Sequence, residues 1–123
     1  MPLKAGVLTA ALISGATILA LLFVADERNR MVFLQPQGMQ TSGTKFGVII
    51  GEGQTSAREK LERQAFKYVL TERSGNCGNM STKVGELLDL YRDYSWRRGG
   101  LCLLVSGEGV VRAIGWDFQP FSF

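Results

Sequence analysis

Residues 101–118 read LCLLVSGEGVVRAIGWDF, two apolar and partly β-branched runs parted by Gly107-Glu108-Gly109. Runs of that length around a glycine-bearing turn predict a β-hairpin, with Leu101 to Ser106 as one strand and Val110 to Phe118 as the other. A hairpin fixes two neighbouring antiparallel strands, so the folded part of the chain needs a sheet that is mainly antiparallel. The other elements must pack against that pair.

Upstream, Phe46-Gly47-Val48-Ile49-Ile50 is a short β-branched run halted by Gly51-Glu52-Gly53. Ser56 and Glu59 have the spacing of a capping box. The stretch Ala57 to Leu70 then carries Leu61, Ala65, Tyr68 and Val69 at helical intervals, with Glu59 and Arg63 paired four apart. Ser74-Gly75-Asn76-Cys77-Gly78-Asn79 breaks the chain. Val84, Leu87, Leu88 and Tyr91 then predict a second helix from Thr82 to Tyr94. The expected class is α+β: a β-α-α-β-β domain over residues 44–123 with two helices on one face of a small sheet. About 80 residues make a core of marginal size, which points to support from partners.

Residues 26–43 read as an interfacial segment and linker: a charged cluster, the apolar patch Met31 to Leu34, then Gln35 to Gly43, rich in Gln, Gly, Ser and Thr. Residues 1–25 contain 21 consecutive residues, Ala5 to Ala25, without charge, proline or side-chain amide. A helix of that length covers roughly 31 Å, the thickness of a bilayer's hydrocarbon. Ten of the 21 are Val, Leu, Ile or Phe, so one N-terminal transmembrane helix is expected. A cleaved signal peptide fits less well, because Phe23 stands where a small side chain is needed. Gly6, Ala10 and Ser14 recur every four residues, and Ala11 with Gly15 forms an adjacent pair. Such stripes let helices pack closely in lipid. The Lys and Arg count of the flanks leans toward a cytoplasmic C-terminal portion. The short Met-Pro-Leu-Lys head instead resembles a signal-anchor that exports the domain behind it, and the exported side is preferred. The expected location is a bacterial inner membrane or an organellar membrane.

Composition excludes much chemistry. The chain has 123 residues and no His, so it holds no Ser-His-Asp or Cys-His machinery of its own and no His-ligated haem or pigment. Phe46 to Arg58 has the strand-loop-helix layout of a phosphate loop but lacks the Walker lysine and the third glycine of a dinucleotide site. Residues 26–123 carry 13 Lys and Arg against 11 Asp and Glu, too balanced for nucleic acid. No cofactor or metal ligand set is expected.

Two cysteines remain, Cys77 in the glycine-rich break and Cys102 in the hairpin. They are either a disulfide closing a useful loop in an exported domain or two free thiols in a reducing compartment. The order Cys77, helix, arginine-rich turn, strand and Trp116-Asp117-Phe118 also resembles the core of transglutaminase-like cysteine enzymes over residues 70–118. The resemblance implies a nucleophile opening a helix. Arg112 stands where that family needs His, so the enzyme it implies is degenerate. Trp116, Phe118, Phe121 and Phe123 crowd the C-terminal residues and suggest contact with a partner or the lipid surface. The expected function is a non-catalytic, single-pass accessory subunit of a larger membrane complex, photosynthetic or respiratory, whose partners are other membrane subunits and the bilayer. A membrane-anchored binding module is the alternative.

Overall fold

The computed structural model describes residues 26–120. Its centre is the expected hairpin. Strand β8 (Gly99–Val105) pairs antiparallel with β9 (Val111–Phe118), with Leu101 opposite Trp116 and Leu103 opposite Ile114. The turn is closed by Ser106 N–H to the Val110 carbonyl at 2.8 Å. A register shift between Leu104 and Val105 leaves Arg112 as the extra residue of a bulge.

In chain order the elements before the hairpin are helix α1 (Glu27–Leu34), β1 (Gln37–Gln40), β2 (Thr44–Lys45), β3 (Val48–Ile49), helix α2 (Gln54–Arg63), β4 (Lys67–Glu72), β5 (Asn76–Cys77), β6 (Met80–Ser81) and β7 (Leu87–Asp93). Five strands form one antiparallel sheet in the order β1-β9-β8-β7-β4, while β2-β3 and β5-β6 are small hairpins on its two faces. The class is α+β with a mainly antiparallel sheet.

One sheet face carries the main core. Leu101, Leu103, Val105, Ile114, Trp116 and Phe118 meet Ala57 and Leu61 of α2, Val32 of α1, and Phe46, Val48 and Phe66. Phe46 is the hub: its ring stands edge-on to Phe66 at 5.6 Å, Trp116 at 5.8 Å and Phe118 at 6.0 Å. Each such fully buried large side chain contributes about 1.5–3 kcal/mol. On the other face Leu88, Leu104, Ala113 and Cys77 form a smaller cluster beneath the β5-β6 hairpin.

The structure corrects several expectations. Residues 82–94 are not a helix, because Leu87–Asp93 is the strand between β4 and β8. A strand with apolar side chains on both faces shows them at both parities, and Leu87, Leu88 and Tyr91 then mimic helical spacing. Helix α2 starts at Gln54 and ends at Arg63. Ala65 adopts φ 63°, and Lys67–Glu72 continues as a strand. The capping box is not formed: Gly53 is the N-cap, and Ser56 Oγ donates to Glu52 instead at 2.7 Å. The single strand expected over 46–50 is the tight hairpin β2-β3, turning at Phe46 and Gly47, both at positive φ.

Residues 26–43 are integral to the fold. Asp26 caps α1 by accepting from the Arg28 N–H at 2.9 Å, Arg28 and Val32 are buried, and the backbone of β1 completes the sheet edge against β9. Gly38 is needed there, since a Cβ would lie 2.3 Å from the Trp116 ring. Among the described residues no helix is long and apolar enough to cross a membrane. The expected span Ala5 to Ala25 lies outside them.

Candidate ligand groove and the buried polar clusters

The sheet face away from the helices is only half covered. Cys77 of β5 is joined by a disulfide to Cys102 of β8, with Cα atoms 5.6 Å apart, which ties the β5-β6 hairpin down over Leu88 and Leu104. Gly115 of β9 allows this, because a Cβ there would sit 2.9 Å from both sulfur atoms. Past the hairpin the face opens into a groove of about 550 Å³. Gly100 gives it a bare floor, Val69 and Leu90 an apolar wall, and Arg92, Arg98, Asp117 and Gln119 a polar rim. A second depression of about 400 Å³ continues over β1, beside Gln37 and Asn79.

The rim is unevenly charged. Asp117 already accepts from Gln37 Nε2 at 3.2 Å and Gln119 Nε2 at 3.5 Å. Arg92 and Arg98 make no ion pair with another described residue, and Lys67 lies directly across from Arg92 on the neighbouring strand. A groove with an apolar wall and cations at its rim suits a ligand with an anionic end and an apolar body.

Other polar residues are spent on internal bracing. Asp89 of β7 is fully buried on the helix side. It accepts from Gln54 Nε2 at 3.0 and 2.9 Å, Arg58 Nη2 at 3.2 Å and Thr71 Oγ1 at 2.6 Å. Four residues on, Asp93 binds Arg97 at 2.7 Å and Arg28 at 3.4 Å, and its carboxylate also accepts the Ser95 N–H. Burial works to raise the Asp93 carboxyl, yet the Ser95 and Arg97 bonds outweigh it and hold the group below its ordinary range. Glu86 is forked by the bulge residue Arg112 at 2.6 and 2.9 Å, which holds its carboxyl below the usual range as well.

Tyr91, beside Asp89, is pushed from 10.0 up to about 12, first by burial and further by Asp89, with the Arg58 bond opposing. A raised acid pKa favours the neutral phenol in the folded state. Its contribution to stability is therefore complete below pH 10 and is lost as pH climbs toward about 12. Unfolding free energy measured by denaturant titration is expected to fall across that window, and Tyr91→Phe to flatten the fall. An equal fall in the variant would exclude Tyr91 as its source.

Of the residues singled out from sequence, Cys77 and Cys102 meet as the disulfide. The thiolate needed by the transglutaminase-like reading is thus consumed, and β6 rather than a helix follows Cys77. Trp116 and Phe118, expected as partner contacts, are turned inward. At 5% and 2% exposure they fill the core, and Trp116 Nε1 donates to the Gln35 carbonyl at 3.0 Å. Their spacing from Ile114 already put all three on one strand face. Gly6, Ala10, Ala11, Ser14, Gly15, Phe121 and Phe123 lie outside the described residues. The helix expected over residues 82–94 gives no sign that Asp89 and Asp93 are buried, because that burial follows from the strand Leu87–Asp93 and its neighbours. Among the described residues no cluster of His, Cys, Asp or Glu is arranged to hold a metal ion. Neither family models, curated proteins nor solved structures give a match to this chain.

Proposed function

We propose that this protein is a non-catalytic accessory subunit of a larger membrane complex, with photosynthetic and respiratory complexes as the host class. The apolar helix of residues 5–25 anchors it, and the small-residue stripe Gly6, Ala10, Ala11, Ser14 and Gly15 packs against a neighbouring helix. The observation that carries the reading is the inequality of the two sheet faces. The helix side is sealed around a core braced by buried ion pairs, while the other side keeps an open groove with cations free to meet a partner. The Cys77–Cys102 disulfide favours the exported side of the membrane, where such bonds persist.

Gentle solubilisation followed by native electrophoresis tests this. A subunit migrates at several hundred kilodaltons and co-purifies in fixed stoichiometry; a chain that runs near 13.5 kDa plus detergent refutes the proposal. The groove favours one second reading, an anchored binding module for a soluble anionic ligand, and that faster migration is its signature. Impermeant thiol reagents added to sealed membranes report the topology: an exported disulfide reacts only after reduction from outside.

A further inference from the structure

Strand β4 is the outermost strand on its side of the sheet, hydrogen-bonded only to β7, and all six of its residues are exposed. Three in a row are large and apolar: Tyr68, Val69 and Leu70 are 38%, 44% and 39% exposed. An accessible apolar edge with unpaired backbone groups is a template for another strand. The opposite edge, β1, is shorter and carries Gln37, Gly38 and Gln40.

The bulge in β4 decides what fits. Lys67 pairs with Arg92 and Tyr68 with Tyr91, then one residue is skipped, and Leu70 pairs with Leu90, Thr71 with Asp89 and Glu72 with Leu88. Five places apart, Lys67 and Glu72 would point to opposite faces of a regular strand. Their partners Arg92 and Leu88 are four apart, so both side chains share the open face. The strand thereby becomes self-complementary. Turned through a two-fold axis at Val69-Leu70, it sets Lys67 against Glu72 of a second copy, Tyr68 against Thr71, and the bulge against itself. Neither Lys67 nor Glu72 has an ion pair among the described residues, and Lys67 faces the like charge of Arg92. A carboxylate from a second copy offsets that repulsion.

We propose that β4 pairs antiparallel with β4 of a second copy of this chain, making a closed two-fold dimer in which the two sheets join into one and the grooves lie side by side. The contact is isologous and occupies the β4 edge of each copy, so it closes at two. It stands independently of which complex hosts the protein.

The full-length chain, purified in mild detergent, tests it by light scattering over a concentration series and by a zero-length carbodiimide cross-linker. Within one chain Lys67 and Glu72 stand at opposite ends of a strand, four ladder steps or roughly 13 Å apart, so an amide between them identifies a second copy. A dimer with that amide is expected. Lys67→Glu or Glu72→Lys alone should weaken dimerisation by about tenfold, and the double exchange should restore it to within about threefold. Both sites are exposed, so thermal melting at a concentration where parent and variants are all monomeric serves as the control and should stay within about 3 °C. A monomer at all concentrations overturns the proposal, including the case where β4 pairs with a strand of another protein. Single variants that dimerise like the parent, or a double exchange that does not recover, overturn it equally.

Discussion

Replacing Cys77 and Cys102 together by alanine is expected to remove about 3.5 kcal/mol of stability at 25 °C, the loop-entropy value for a closure of 25 residues. For a domain of this size each kcal/mol corresponds to about 4–8 °C, so the midpoint of thermal unfolding should drop by roughly 15–25 °C. The physical reason is specific to this fold. The closed loop contains β6 and β7, and the bond is what fastens the β5-β6 hairpin over the open sheet face. Without it Leu88, Leu104 and Ala113 are covered only by packing of a two-residue-strand hairpin, which is marginal in water. Circular dichroism of the full chain in detergent, oxidised against double alanine, measures the loss. A change below about 1 kcal/mol would mean that the bond constrains little in the unfolded chain.

Asp89→Ala is the second large effect. Removing one partner of a buried ion pair costs about 3–5 kcal/mol, because the other charge and its donors are stranded. Here the lower end applies. The Arg58 side chain keeps 34% of its surface exposed and can turn toward water, whereas the Asp89 side chain is fully enclosed. The penalty then falls mostly on the donors of Gln54 and Thr71, left inside without an acceptor, and on the void under α2. Asp89→Asn keeps the volume and one acceptor and is expected to lose about half as much. Urea titration of the three proteins ranks them. If alanine and asparagine cost the same, the carboxylate's charge is the whole of the interaction; if neither costs more than about 1 kcal/mol, the network is ornamental to stability.

Both effects arise from residues whose importance the sequence shows unequally. The hairpin of β8 and β9 was legible because it is local: two runs, one glycine-bearing turn, and a register that the turn largely dictates. The start of α2 was legible to within a few residues for the same reason. β7 was not, since apolar residues stand on both of its faces and satisfy a helical spacing as well as an extended one. β1 hid inside a polar segment because an edge strand is held by its backbone, and Gln37 to Gln40 pair with residues 74–80 positions further on. Local propensity carries no record of such a partner.

The groove was illegible for a related reason. Gly100, Arg92 and Gln119 belong to separate strands or lie just past one, and only the sheet order β9-β8-β7 brings them together.

By itself the sequence determined the length of the apolar N-terminal run, the absence of imidazole chemistry, the α+β class and the hairpin, all of which depend on composition or on neighbours a few residues apart. Only the tertiary structure decided that Cys77 meets Cys102, that Trp116 and Phe118 point into the core, that Asp89 and Asp93 are buried braces, and that Lys67 and Glu72 share a face. Those outcomes hang on which strands lie side by side and in what register. That is settled by the burial of the whole core at once and by no segment of it alone.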